Sequence, residues 1–175
     1  MGTRKVRVWL DELPGILLET KKALRFRREA QACSDSSERV LGVEMMVASG
    51  PRIMYGLLGA SFRPDSSGFT ESIIPILGEK QGEFSSPVAP TYDRIFWHYP
   101  EEYAEATRRA IAASGSLPSG VLDFKCAASA DVGSCRVIFA QITGVIIAAI
   151  KDHLDGSGMI DLALRHDLAW GASVC

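Results

Sequence analysis

Residues 99–129, YPEEYAEATRRAIAASGSLPSGVLDFKCAAS, decide the fold, because a helical period gives way to a strand period within a few residues. Pro100 fits a first helical turn, Glu101 and Glu102 suit the positive end of the helix dipole, and Gly115 suits the stop. Tyr103, Ala106, Ala110 and Ile111 form an apolar stripe, with Glu105, Arg108 and Arg109 outside it. Beyond the Ser, Pro and Gly of the next loop, side chains alternate. Leu122, Phe124, Cys126 and Ala128 share a face expected to be core, and Asp123, Lys125 and Ser129 share one expected to be wet.

Downstream, Asp131 or Ser134 is expected to cap a second helix that runs to about Leu154 and stops at Gly156. Its apolar residues between Val137 and Ile150 cover more than half its circumference, which marks a central core helix. The tail from Met159 to Trp170 reads as either an added strand or a short helix. Upstream, residues 69–77 read as a strand in which Pro75 favours an end or an edge. Residues 52–63 are apolar on both faces, as in a strand covered on both sides. Residues 39–48 read as half-buried, with Leu41, Val43, Met45 and Val47 opposite Val40, Gly42, Glu44 and Met46. Residues 4–10 and 22–28 carry shorter alternations, Pro14–Thr20 reads as a loop or one helical turn, and Gly78–Pro90 as a mobile surface loop. The core order of three strands, helix, strand and helix predicts an α+β two-layer sandwich, a mostly antiparallel sheet with two helices on one face. The strand order stays open.

A chain of 175 residues with 47% apolar and 23% charged side chains reads as a single folded domain, with a core at residues 22–152 and an extension at each end. The net charge of -2 hides a split. Residues 1–30 carry eight basic and four acidic groups, the remainder eleven and seventeen. The basic group comprises Arg4, Lys5, Arg7, Lys21, Lys22, Arg25, Arg27 and Arg28, and reads either as a contact for nucleic acid or an acidic surface, or as a solvated face. Cys33, Cys126, Cys135 and Cys175 form no CxxC pair and no secretory signal is visible, so reduced thiols and a cytoplasmic location are expected. Cys126 reads as a core residue and Cys175 as a thiol open to oxidation. The run Val137–Ile150 is too short to span a bilayer, so no membrane segment is expected. The absence of Asn and the excess of Arg, 13 to 6 Lys, point to a GC-rich coding sequence and a bacterial source.

The sequence lacks a Gly-Lys phosphate loop, an HExxH zinc helix and a GxSxG nucleophile elbow, and GSGMID at Gly156 lacks the third glycine of the dinucleotide fingerprint. No cofactor is indicated. His153, Asp155, His166 and Asp167 are of metal-binding type but match no familiar spacing, so no metal site is assigned. The aromatic stretch of Tyr92, Phe96, Trp97, His98 and Tyr99 either staples the following helix to the core or lines a ligand pocket, with Trp97, His98 and Tyr99 as its candidate contacts.

Residues 99–129, together with ADVGSCRVIFAQITGVIIAAI at 130–150 and LRFRREA before GVEMMV, resemble domain IV of the ribosomal translocase elongation factor G, a ribosomal protein S5 domain 2-like fold. The resemblance covers about residues 22–152. It implies a non-catalytic binding or accessory domain whose partner is the ribosome or RNA, with Arg25, Arg27 and Arg28 as contacts. The family's glycine-rich tip is replaced by QACSDSSERV and its basic tip by SADVG, and no GTPase domain is present, so GTP-driven translocation is not this chain's own activity. Two other classes remain: a small-molecule-binding protein or enzyme using the Trp97–Tyr99 cluster, and an interaction or homo-oligomerisation domain using the second face of residues 52–63.

Overall fold

The computed structural model describes residues 3–15, 22–32, 37–86, 88–89 and 93–165. Among them the chain forms β1 (Thr3–Leu10), β2 (Lys22–Glu29), β3 (Arg39–Ser49), β4 (Arg52–Pro64), β5 (Phe69–Ile76), β6 (Ile95–Trp97), α1 (Glu101–Ala113), β7 (Gly120–Ala130), α2 (Arg136–Asp152) and α3 (Gly156–Arg165). One mixed sheet runs in the order β1-β3-β4-β7-β5-β2. Neighbours are antiparallel except β5 and β7, whose parallel pairing is permitted by the crossover through α1. The far edge of β7 is divided: its residues 120–123 pair with 70–73 of β5, and 128–130 pair with β6. The strands LRFRREA and GVEMMV, consecutive in sequence, lie far apart, β2 being the edge beside β5 and β3 lying beside β1 and β4.

The architecture is the expected α+β arrangement, with three helices rather than two on one face of the sheet. α2 lies over β3 and β4, α1 over β5 and β2, and α3 over β1. Gly56 lets α2 come close, since a Cβ there would stand 3.0 to 3.3 Å from Ile142, Ile138 and Phe139. Gly156 does not stop α2 but opens α3. α2 ends at Asp152, and His153 adopts a left-handed conformation (φ 51°) that returns its N–H to the Ala149 carbonyl. The tail therefore begins as a helix, and its expected continuation to Trp170 lies partly outside the described residues. Neither Asp131 nor Ser134 caps α2: Cys135 holds that position. Ser134 Oγ instead accepts the Ala130 N–H (2.8 Å) and donates to the Tyr55 carbonyl (2.6 Å).

The side-chain alternation of β7 breaks where it meets β4. Ala60 pairs with Phe124 and Gly59 with Cys126, so Lys125 is an extra residue in a β-bulge. Leu122 and Phe124 face the helices, whereas Cys126 and Ala128 lie with Gly59 and Leu57 on the opposite face; the four do not share one side as the period of two implied. That opposite face is not bare over its central part. Leu13 and Pro14 lie against Gly42 and Gly59, and Val88, Ala89 and Trp97 are buried. Consequently β3 is buried on both faces from Leu41 to Val47, Glu44 included, rather than half-buried. β4 is covered on both sides, as its sequence predicts. The segment expected as a mobile surface loop is in part a covering layer: Gln81 and Phe84 hydrogen-bond to the carbonyls of Trp97 and Ile95 in β6 (3.0 and 2.8 Å).

Each helix ends against an arginine supplied by the sheet. Arg28 of β2 donates to the carbonyls of Ile111 (2.6 Å) and Ala112 (3.4 Å) at the end of α1, which has no basic residue in its own last turn. Arg39 of β3 donates to Ala149 in α2 and to Leu154 just beyond it (2.9 Å). Arg4 of β1 donates to Ala163 and Leu164 of α3 (3.0 and 3.1 Å). These carbonyls stand at the negative end of the helix dipole, where they lack a full set of helical donors, so a guanidinium both adds a donor and neutralises the charge. Replacing Arg39 with Gln is expected to lower stability by about 1–3 kcal/mol in urea unfolding. Replacement with Lys is expected to recover part of that; a loss below about 0.5 kcal/mol for Arg39→Gln would show that the contact contributes little.

Candidate functional site

The alternation of β2 divides the three arginines that the sequence groups together. Leu24, Phe26 and Arg28 face the helices, where Arg28 caps α1. Arg25 and Arg27 project from the other face of the edge strand, and both are exposed. Arg25 meets Glu71 of β5 at 3.1 Å, and the Arg27 guanidinium lies 4.0 Å from the centroid of the Phe69 ring. Phe69, Glu71 and Ile73 of β5 are all half-buried on this face, next to Val121, Asp123 and Lys125 of β7. Lys125, set on the bulge, pairs with Asp123, and Arg63 at the end of β4 is exposed on the same side.

This half of the sheet thus keeps an open face, while the half built on β3 and the start of β4 is covered. Its charges are Arg25, Arg27, Arg63 and Lys125 against Glu29, Glu71 and Asp123. Exposed ion pairs such as Arg25–Glu71 are worth little, about 0–1 kcal/mol, and can be exchanged for a partner at small cost. Arginines beside an aromatic ring on a flat sheet can stack on bases and meet phosphates.

The aromatic stretch is placed differently. Trp97 is buried against Phe84, with ring centroids 4.9 Å apart, and also approaches Gly15. Tyr99 is fully buried; its hydroxyl contacts Thr107 Oγ1 at 2.5 Å, and Thr107 in turn contacts Thr143 at 3.1 Å. Burial pushes the Tyr99 hydroxyl above its ordinary range. His98 is half-buried, with Nδ1 2.9 Å from Ser129 Oγ, and burial draws its titration below the usual value. Trp97 and Tyr99 therefore staple α1 and β6 to the core, and Tyr92 lies outside the described residues. Phe96, just before Trp97 in sequence, turns outward and carries Lys80 and Arg94 at 4.7 and 4.9 Å.

A cavity of about 180 Å³ lies elsewhere, at the end of the sheet between Gln31, Arg39, Phe62, Leu117, Ile150 and Lys151. It falls below the ~300 Å³ at which small-molecule sites usually begin. Asp155 accepts from Gly158 N–H and Ser157 Oγ in the first turn of α3, while His166 and Asp167 lie outside the described residues. Among the described residues no group of three or more His, Cys, Asp or Glu side chains is placed to hold a metal ion. No helix among them is long and apolar enough to cross a membrane. Glu101 and Glu102 pair with Lys22 and Arg136.

One buried acid escaped the sequence reading of function. Glu44 is 0% exposed, and its Oε1 accepts from the Tyr55 hydroxyl (3.0 Å) and from Ser86. Its place opposite an apolar face was visible in the alternation, but the cover over it was not. The chain matches no protein-family model, no curated protein and no solved structure.

Burial pushes the Cys126 thiol up to about 12, which removes it as a nucleophile near neutral pH. A thiol reagent at pH 8 is therefore expected to modify Cys126 only after unfolding; modification at the rate of a free thiol in the native protein would contradict the packing described.

Proposed function

We propose that this chain is a non-catalytic binding domain that takes RNA on the open half of its sheet, with the ribosome of the cytosol as the natural source of that RNA. The observation that carries the reading is the uncovered face around Arg25, Arg27 and Phe69, beside a sheet centre in which β3 and the middle of β4 are covered on both sides. The resemblance of residues 22–152 to domain IV of elongation factor G supports the choice of RNA over other anions. Arg25, Arg27, Arg63 and Lys125 contact phosphates, and Phe69 supplies a ring for stacking. Arg28 belongs to the fold and not to this surface.

The described residues of the two segments that stand where the family has its tips lie at opposite ends of β7. Gln31 bridges to Pro118 just before that strand, and Asp131 follows its last residue. Eleven residues of strand separate those ends, about 35 Å. An RNA partner is accordingly engaged by the sheet face and not by the two tips acting together.

Co-sedimentation with ribosomes, and fluorescence anisotropy with a labelled single-stranded RNA, test this directly. Affinity is expected to fall steeply between 50 and 200 mM salt, and Arg25→Glu with Arg27→Glu to weaken binding by at least about tenfold without loss of fold. Arg28→Gln is expected to lower thermal stability while leaving affinity unchanged. Absence of binding at low salt, or binding indifferent to both salt and the double reversal, would remove the reading.

A further inference from the structure

We propose that Glu44 is a proton-operated latch: protonated, it holds Ser86, Val88 and Ala89 down on the sheet, and ionised, it lets them lift. The contact is built from both sides. On the sheet, Glu44 of β3 has both carboxyl oxygens buried; Oε1 accepts the Tyr55 and Ser86 hydroxyls, and Oε2 has no hydrogen-bond partner. On the cover, the same Ser86 Oγ accepts the N–H groups of Val88 (3.2 Å) and Ala89 (3.1 Å), so one hydroxyl joins these two backbone groups to the acid beneath them. Val88 and Ala89 are themselves buried. An ionised carboxylate in this position keeps one oxygen without a donor in a water-poor site, which is costly.

Among the described residues, the charged and titratable groups facing Glu44 are Arg7 of β1, directly across the strand pair, and Tyr55 of β4; the cover presents Ser86 and the backbone of Val88. Arg7 is exposed and its guanidinium lies 4.6 Å from the Trp9 ring, so its charge is shared with solvent and does not cancel the burial. Burial accordingly dominates, and the Glu44 carboxyl is pushed up to about 7 from 4.5. The Tyr55 hydroxyl is pushed upward as well and stays a donor throughout. With the cover lifted, the carboxyl regains its ordinary value. The closed form then binds more protons than the open form between about pH 4.5 and pH 7. Rising pH favours opening across that window, and nothing further is gained above it.

Residue-resolved amide exchange on the intact chain tests the latch without any nucleic acid, so its outcome is independent of the RNA reading. After correction for the intrinsic pH dependence of exchange, protection of the Val88 and Ala89 amides is expected to fall on the order of tenfold from pH 5.5 to pH 8. Amides in the middle of β4 are expected to hold. Glu44→Gln, isosteric and unable to ionise, is expected to abolish the change, and Ser86→Ala to raise exchange of the same two amides at every pH. Protection independent of pH in the natural sequence, or an unaltered pH dependence in Glu44→Gln, would overturn the proposal.

Discussion

The contact on which the layering depends is the guanidinium of a strand arginine against the last carbonyls of a helix. It occurs three times, through Arg4, Arg28 and Arg39, and each time it joins a different helix to the sheet. A helix end standing against a sheet leaves carbonyls that water reaches only in part, and each gains from a charged donor supplied by the sheet. Apolar packing alone would press the three helices onto the sheet without fixing where along it they stop. The arginines restrict that position, most strictly at Arg39, whose two terminal nitrogens reach different carbonyls and so form a planar fork with a narrow range of geometry.

This use of arginine changes the meaning of the basic amino-terminal region. Of the eight cations in residues 1–30, Arg4 and Arg28 are committed to helix ends, Lys22 to Glu101 at the start of α1, and Arg7 to the neighbourhood of Trp9 and Glu44. Part of the charge excess, three of the eight cations, thus ties the sheet to the helix layer. On the open half of the sheet Arg25 and Arg27 remain for a partner, and they gain company from Arg63 and Lys125, residues outside the basic region altogether. A surface assembled by strand pairing from three separated segments cannot be recognised as a run of charge.

Much of the fold was legible because local pattern and final environment agree. The amphipathic stripe of α1 and the all-round apolar character of residues 137–150 dictate a surface helix and a core helix, and strand period assigns β3, β4, β5 and β7. The failures have identifiable causes. A period of two cannot foresee the bulge at Lys125, since it arises from the register with β4. Gly156 looked like a helix stop because glycine suits one, yet His153 takes the left-handed position and Asp155 starts the next helix. The three residues of β6 are too short for any period to show, and they find a partner because β5 pairs with only the first part of the β7 edge. Trp97 and Tyr99 look the same in sequence whether they line a pocket or fill one.

Glu44 marks the limit of that kind of reading. Its strand, its face and its neighbours in β3 were all apparent, and a carboxylate facing away from an apolar stripe ordinarily meets water. Whether it does depends on a segment some forty residues later in the chain, whose Ser86 bonds to Glu44 and whose Val88 and Ala89 are themselves buried. An apolar or amide side chain at this position would fill the space without an ionisation cost, and buried charges are often improved upon in that way. The acid therefore makes the stability of the cover depend on pH, a property that packing alone cannot supply.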